Sequence, residues 1–595
     1  MIRAVAVRSF LFLPILLIVC LGTSLAAAPP TLAVDQVKPG MRGVAYTVFE
    51  GTRPEAMDVE VLGVLRNVLG PRRDVILVRL GGAKAEHTGV VAGMSGSPVY
   101  IEGKLVGALA YRIGLFAKEP IAGVTPIADM LEINELDRRE PPAAVASAVA
   151  VERAAGEASN AGSEPHLEAY RQELRPIETP LVFAGFSEEA VERFAPQFAS
   201  SGIVPVLGAG AASGAAQPEP FEPGSMVGAV YVRGDMNITA ACTVTYVDAD
   251  RLLACGHPIS QFGQVDMPMS KAEVLTTLAS PFNSFKIVNA TEPAGAFVQD
   301  RQAGILGRFD RAPEMIPVSV KLDAGGRARD FHFEVLNNPR ITPLAIMVTV
   351  YNALRADNQY GEEVTFRMRG AIRVNGYPDV VLKDMYAPPE ANVPTAFQVA
   401  LALGSRFSRI FGNPYARPQV AGVDLAFDVL PERRWARLES ARTDVTEARP
   451  GDTIVIEAAL RPYRGERILR QVPVRIPASA PRGTLRILVS DGDTLDGMRR
   501  MTLPFGRQLE LGSTIALLNK ERVNDRLYVA LLQANPQALV EDKVMPSLPL
   551  SVINVMDGQR GTREVVVLGE SAVDENSTPL DYVVVGAQVL SINIK

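Results

Sequence analysis

The stretch GMSGSP, residues 93–98, holds the residue types that a nucleophilic serine requires. A serine hydroxyl attacks a carbonyl only when a base takes its proton and hydrogen-bond donors stabilise the oxyanion. Small residues let the backbone bend, so that the amide N–H groups of Gly93 and Ser95 can point at one position. The pattern therefore predicts either a catalytic turn with an oxyanion site at Gly93 and Ser95, or a tight structural turn.

A base is the second requirement, and the chain contains four histidines. His257 lies in LLACGHPI, directly after an apolar run, where Gly256 and Pro258 shape a turn that would hold the ring still. The sequence favours a solvated loop for His87 and a half-exposed strand position, in the alternating run DFHFEVL, for His332. His166 lies in the polar linker. His257 is therefore the preferred general base.

The elements that must position these residues are strands. Alternating, β-branched runs begin at Asp58, Asp74 and Ser97, and the pair Glu102-Gly103 is typical of a two-residue hairpin turn. The segment TVTYVDADRLLA indicates a second hairpin just before His257. The composition excludes disorder, since 47 % of the residues are hydrophobic and 21 % are charged.

Two segments resemble the SpoIVB-type peptidase family, the stage IV sporulation protein B signalling proteases. GGAKAEHTGVVAGMSGSPVYIEGKLVGALAY, residues 81–111, is similar to the serine-bearing segment of that family, and CTVTYVDADRLLACGHPI, residues 242–259, is similar to its histidine-bearing segment. The resemblance implies a trypsin-like double β-barrel, with Ser95 rather than Ser97 as nucleophile and His257 as general base. The order of the two segments is reversed relative to the sporulation proteins.

The third member of a triad is not fixed by this resemblance. The family carries an aspartate about fifteen residues before its serine, and Leu80 stands at that position here. Asp266, nine residues after His257, is the preferred catalytic aspartate, and Asp74 and Asp300 are the alternatives. In a triad such a carboxylate orients the imidazole.

The cysteines favour no metal site. Cys242 and Cys255 flank the second predicted hairpin and could form a disulfide in an oxidising compartment, or stay as two buried thiols. Cys255 and His257 alone offer too few ligands for zinc, which usually takes three or four from the protein. With no phosphate-binding loop or dinucleotide fingerprint in the sequence, we expect no metal and no cofactor.

The first 28 residues have the pattern of a secretory signal peptide, with two arginines, an apolar run and small residues. We therefore expect a periplasmic or secreted protein with no integral membrane span in the mature chain. The formal net charge is −6 and basic residues are not clustered, which makes nucleic acid an unlikely partner. A protein or peptide is the expected substrate.

Composition shifts divide the chain into seven segments. They are a signal peptide (1–28), a serine-bearing barrel (29–138), an Ala/Glu-rich linker (139–175), a histidine-bearing barrel (176–387), a connecting segment (388–429), an immunoglobulin-like β-sandwich (430–504) and a C-terminal α+β segment (505–595). The expected fold class is mainly β. The last two segments would bind envelope proteins.

We expect a serine endopeptidase of restricted specificity that acts on envelope or secreted proteins. The alternative is a non-catalytic protein-binding module that keeps the two barrels as a scaffold, because a fold does not by itself carry a function.

Overall fold

The structure is a computed structural model. It describes residues 29–114, 119–134, 173–199, 203–208, 217–260, 263–356, 363–388, 393–501, 509–533, 537–540, 543–545, 548–558, 565–568 and 571–595. The predicted signal peptide, most of the predicted linker and His166 lie outside these residues. No helix within the described ranges is long and apolar enough to cross a membrane.

The first unit is a closed antiparallel barrel of six strands, paired in the ring β1-β2-β3-β6-β5-β4-β1. A 3₁₀ turn (Val34–Gln36) precedes it. Its strands are β1 (Arg42–Thr47), β2 (Glu55–Leu65), β3 (Val75–Gly81), β4 (Pro98–Ile101), β5 (Lys104–Ile113) and β6 (Ile121–Pro126), and its helices are α1 (Ala83–Thr88) and α2 (Ile127–Leu131).

The alternation of apolar residues explains this barrel. In β2 every second side chain is buried, and these side chains join those of β3, β4 and β5 in one core. The predicted hairpin turn is present, with positive φ angles at Glu102 (51°) and Gly103 (74°). A short strand β7 (Leu174–Pro176) pairs with β5 outside the ring.

The second unit contains another closed six-stranded barrel, in the ring β10-β13-β14-β15-β12-β11-β10. It follows β8 (Thr179–Ala184), α3 (Glu188–Ala199) and β9 (Ile203–Leu207). The ring strands are β10 (Met226–Gly234), β11 (Asn237–Val247), β12 (Arg251–Ala254), β13 (Gly263–Leu278), β14 (Phe285–Arg301) and β15 (Gly304–Arg308). The hairpin predicted before His257 is β11–β12.

The sheet of the second barrel continues outward from β10 through β17, β16, β20, β18 and β19. Two helices cover this extension and share its apolar core. The elements are β16 (Met315–Asp323), β17 (Ala328–Leu336), α4 (Thr342–Arg355), β18 (Thr365–Val374), β19 (Val380–Tyr386), α5 (Thr395–Phe411) and β20 (Val420–Leu430). The predicted connecting segment 388–429 thus supplies a helix and a strand of the second unit, because β20 pairs with β16 and β18.

The C-terminal unit is a β-sandwich with one shared core. One sheet has the order β24-β23-β21-β31 and the other has the order β22-β32-β25-β26-β30. The strands are β21 (Trp435–Arg442), β22 (Glu447–Ala448), β23 (Thr453–Pro462), β24 (Ile468–Arg475), β25 (Gly483–Ser490), β26 (Arg526–Gln533), β30 (Ser571–Pro579), β31 (Val583–Val585) and β32 (Ala587–Ile594).

Within the described residues, three helices and a small sheet lie between strands β25 and β30 in chain order. These are α6 (Gly492–Met501), α7 (Leu511–Asn519), β27 (Gln537–Val540), β28 (Lys543–Met545), α8 (Leu550–Gly558) and β29 (Val565–Leu568). Helix α7 packs on the core of the second unit. The predicted boundary at residue 504 divides one sheet. Strand β32, which follows the boundary, pairs with β22 and β25, which precede it. The prediction of a mainly β fold, with two barrels followed by a sandwich, is confirmed.

Candidate active site

The turn at residues 93–98 belongs to the first barrel and is hydrogen-bonded to strands of both barrels. Gly93 and Gly96 have φ angles of 97° and 94°, a region that residues with a side chain rarely adopt. The amide of Gly96 donates to Leu109 O on β5 (2.7 Å), which fixes the turn on its own barrel.

Three hydrogen bonds from β11 hold the other side of the turn. Thr243 N donates to Ser95 O (2.8 Å), Thr243 Oγ1 donates to Gly93 O (2.9 Å), and Thr245 Oγ1 donates to Gly96 O (2.7 Å). The serine turn therefore lies against the hairpin that leads to His257. Sequence alone did not show that the two segments meet.

The two serines of the turn differ in their partners. Ser97 Oγ donates to Met94 O (2.7 Å), as a structural turn residue does. Ser95 is fully buried, and its Oγ has no hydrogen-bond partner among the residues that the structure describes. A buried hydroxyl without a partner costs free energy, so it indicates a function or a partner that arrives later. Ser95 is the serine that this geometry favours as nucleophile.

The histidine turn is held in a strained conformation. Cys255 and Gly256 both have positive φ angles, 66° and 67°. Cys255 is bonded to Cys242 in a disulfide with a Cα–Cα distance of 5.2 Å, so its sulfur is not available as a metal ligand. Thr125 Oγ1, at the end of β6, donates to Gly256 O (2.6 Å) and ties this turn to the first barrel.

The imidazole of His257 is held as a neutral base. Its Nδ1 lies 2.8 Å from Pro258 O, and because a carbonyl only accepts, Nδ1 must carry the hydrogen. Nε2 then carries the lone pair, and it is buried without a hydrogen bond to any of the described residues. Burial lowers the pKa of His257, although the backbones of Pro258 and Ile177 and the charge of Glu178 act in the opposite direction.

The three candidate aspartates occupy different places. Asp266 is an exposed residue on β13. Partial desolvation of its carboxyl raises its pKa, while the charge of Arg311 lowers it and that of Glu314 raises it. Asp74 is bound to Arg66 and to the amide of Asn67. The structure brings neither carboxylate into a hydrogen bond with His257.

Asp300 is the aspartate that acts on the histidine turn. It is 1 % exposed at the end of β14 and accepts hydrogen bonds from the amides of Ile259 (3.0 Å) and Ser260 (2.7 Å). The carboxylate thereby fixes the loop whose Pro258 carbonyl orients the imidazole. Asp300 is a positioning residue, and Pro258 O takes the place at Nδ1 that an aspartate would occupy.

Of the two amides of the predicted oxyanion site, one already donates a hydrogen bond. Gly93 N donates to Glu178 O (3.2 Å), so in this conformation it is not available to an oxyanion. Ser95 N donates no hydrogen bond within the described part of the chain and is available. A neighbouring stretch of chain thus accepts the hydrogen bond of the Gly93 amide, and the oxyanion role of Gly93 stays a prediction.

Lys286 is a buried titratable group that the sequence interpretation missed. It is fully buried on β14, its Nζ lies 2.7 Å from Thr47 Oγ1, and its amide donates to Ala92 O (3.2 Å). A Cβ built on Gly93 would lie 3.3 Å from Lys286 Cδ, so its stem packs against the serine turn. The signal in the sequence was a lysine within the otherwise apolar start of a strand, FKIV.

The other histidines lie elsewhere, His87 exposed on α1 and His332 exposed on β17. Within the described ranges, no group of three or more His, Cys, Asp or Glu side chains could hold a metal ion.

The family comparison agrees with the serine segment. The model of the SpoIVB peptidase S55 family matches residues 24–131, which include the strands of the serine-bearing barrel and α2, and this confirms the resemblance of the serine-bearing segment. No curated protein and no solved structure matches the chain. The match supports a peptidase-type function and a protein substrate.

Proposed function

We propose that this protein is an exported serine endopeptidase of restricted specificity, with Ser95 as nucleophile and His257 as general base. The observation that carries the proposal is that Ser95 Oγ and His257 Nε2 are both buried with no hydrogen-bond partner in the described part of the chain, on two turns that share β11 as a support. The match of the serine barrel to a peptidase family adds to it.

The reaction follows from the state of each group. Ser95 Oγ attacks the scissile carbonyl while His257 Nε2 takes its proton, and the imidazolium returns that proton to the leaving amine. In the second half of the reaction, His257 Nε2 takes a proton from water as the water attacks the acyl-enzyme, and the imidazolium returns that proton to Ser95 Oγ. The amide of Ser95 stabilises the oxyanion, and the amide of Gly93 joins it once Glu178 O has moved away.

The orientation of His257 uses a backbone carbonyl instead of an aspartate. Nδ1–H donates to Pro258 O, which keeps the lone pair on Nε2. A neutral carbonyl stabilises an imidazolium less than a carboxylate does, so we expect slow turnover. This suits an enzyme of restricted specificity, which acts on few envelope or secreted proteins.

One observation favours the alternative, a non-catalytic binding module on a peptidase-like scaffold. Ser95 and His257 are not hydrogen-bonded to each other, and both are covered by protein in this conformation. A module without catalysis would keep the two barrels and never uncover the serine.

Labelling of the mature protein with a fluorophosphonate distinguishes the two functions. We expect wild type to be labelled, and Ser95→Ala and His257→Ala to lose labelling, with Ser97→Ala as the matched control that retains it. Equal labelling of wild type and Ser95→Ala would show that Ser95 is not the nucleophile. The proposed export is checked by sequencing the N-terminus of protein recovered from the periplasm or medium, where residues 1–28 should be missing.

A further inference from the structure

The residues at 173–178 lie along the edge of β5, the second strand after the serine turn. Gly114 N donates to Glu173 O (3.0 Å), and β7 pairs antiparallel with β5. Ile177 N then donates to Ala110 O (2.8 Å) and continues this pairing. The stretch is an added edge strand, which is the way that many proteins bind an extended peptide.

The end of this strand reaches the candidate catalytic groups. Gly93 N, a predicted oxyanion donor, donates to Glu178 O. The backbone of Ile177 and the charge of Glu178 both act to raise the pKa of His257, against the larger effect of burial, which lowers it. Ile177 itself is 1 % exposed. This stretch of the chain thus ends in contact with the serine turn, and it acts on the charge state of His257.

The side chain of Glu178 is recognised by a buried arginine. Arg112 Nη1 donates to Glu178 Oε2 (2.9 Å) and to Asn283 Oδ1 (3.0 Å), and Arg112 Nε donates to Gly114 O (3.2 Å). The side chains of Arg112 and Glu178 are 10 % and 17 % exposed. A charge-assisted hydrogen bond in such a place contributes more than an exposed ion pair.

We propose that residues 173–178 occupy the substrate cleft, and that the cleft binds extended peptides which pair with β5 and place an acidic side chain against Arg112. This rests on the proposed function, because it takes Ser95 and His257 as the centre of the cleft. Arg112 is then the specificity-determining residue. A substrate must displace the chain's own strand before its carbonyl can reach Gly93 N.

Binding, measured without catalysis, tests this inference. The protein is the full mature chain carrying Ser95→Ala, and the probe is a fluorescent peptide with the sequence of residues 173–178. A second peptide has glutamine in place of the last glutamate. Fluorescence anisotropy gives the two dissociation constants, and hydrogen exchange of residues 173–178 reports whether the internal strand is displaced.

We expect the glutamate peptide to bind about tenfold more tightly than the glutamine peptide, the effect of one charge-assisted hydrogen bond. Glu178→Gln in the chain should raise the affinity for the glutamate peptide, because the internal competitor is weakened. Arg112→Gln should remove the preference between the peptides, and Arg112→Lys should keep part of it. Glu119→Gln, which removes an exposed partner of Arg79 on the same barrel, is the matched control and should change nothing.

Equal affinities for the two peptides, or no binding even in Glu178→Gln, would overturn the inference. Exchange protection of residues 173–178 that stays unchanged when peptide binds would also overturn it. A failure of fluorophosphonate labelling would remove the proposed function and leave these binding results as they are, so the two failures are distinguishable.

Discussion

Gly96 packs against Thr243 so closely that a Cβ on Gly96 would lie 1.9 Å from the Thr243 carbonyl oxygen. The backbone of Cys255 would also lie 2.5 Å from that Cβ. Because the clash is with backbone, it cannot be relieved by a change of rotamer. Only glycine allows the serine turn to lie on β11 next to the histidine hairpin.

Gly96→Ala should therefore separate the two barrels locally and abolish labelling of Ser95. We expect a loss of more than about 3 kcal/mol in the free energy of unfolding, measured with urea. Gly103→Ala is the matched control, since Gly103 also has a positive φ but no atom lies within 4 Å of its Cβ position. It should lose only about 1 kcal/mol. Similar losses at both positions would show that the close approach at Gly96 is unimportant.

The two serines of the turn should respond to alanine in opposite directions. Ser95→Ala removes a buried hydroxyl that has no partner, so the free energy of unfolding should rise by about 1 kcal/mol while labelling is lost. Ser97→Ala removes the hydrogen bond to Met94 O and should lower stability by about 1 kcal/mol while labelling is kept. Urea unfolding of the two variants in parallel measures both. A loss of stability in Ser95→Ala would mean that its hydroxyl is hydrogen-bonded in solution.

The mainly β fold could be predicted, and the two turns that carry Ser95 and His257 could be singled out, because their signals are local. Alternation gives the strands of both barrels, and glycine and proline mark the turns around Ser95 and His257. The assignment of an aspartate could not be reached in the same way. Asp300 acts through the backbone of Ile259 and Ser260, and a contact from a side chain to a distant backbone leaves no pattern in the sequence.

The extent of the sandwich and the role of Glu178 were beyond sequence reasoning for a related reason. Strand β32 lies between β22 and β25, and such non-local pairing is set by the whole core rather than by the runs themselves. From the sequence, no role was predicted for Glu178, which lies at the start of the predicted histidine-bearing segment (176–387). Only the structure shows its contacts with Gly93 and Arg112, from which the proposed recognition of an acidic side chain is inferred.

His257 predicts how labelling depends on pH. Burial lowers the pKa of its imidazole below the usual value of 6.5, and Nε2 must be neutral to take a proton from Ser95. The labelling rate should therefore be constant above pH 6.5 and should fall as the pH drops through the lowered pKa. A stopped series of labelling reactions between pH 4 and 8 measures this midpoint. A midpoint above 6.5 would contradict the burial of the imidazole during reaction.

Asp300→Asn should both slow labelling and move that midpoint. The variant keeps one acceptor oxygen but places an amide group against one of the two backbone N–H donors, so the loop at Pro258 loosens and the imidazole becomes more hydrated. We expect a rate lower by about 10- to 100-fold, the effect of one or two charge-assisted hydrogen bonds, and a pKa closer to 6.5. Asp266→Asn is the control and should leave both values unchanged. The opposite result would restore Asp266 as the orienting carboxylate.

Lys286 should make the stability of the protein depend on pH in the alkaline range. Burial lowers the pKa of its ammonium from 10.5 to about 7, and no ionisable neighbour contributes to this shift. Between pH 7 and 10.5 the unfolded chain therefore holds a proton that the folded chain lacks, so the free energy of unfolding rises with pH across this window. At pH 7 and below, the cost of burying the amine is greatest.

Lys286→Met removes this proton and fills a similar volume. We expect the variant to be more stable than wild type at pH 7, and we expect wild type to regain about 2 kcal/mol relative to it between pH 7 and 9. Urea unfolding at both pH values measures this difference, in which the contributions of all other groups cancel. Lys84→Met, at an exposed lysine paired with Glu55, is the control and should track wild type at both pH values. If Lys286→Met tracked wild type as well, the ammonium would be hydrated in the folded protein, and the packing of its stem against Gly93 would have to open in solution.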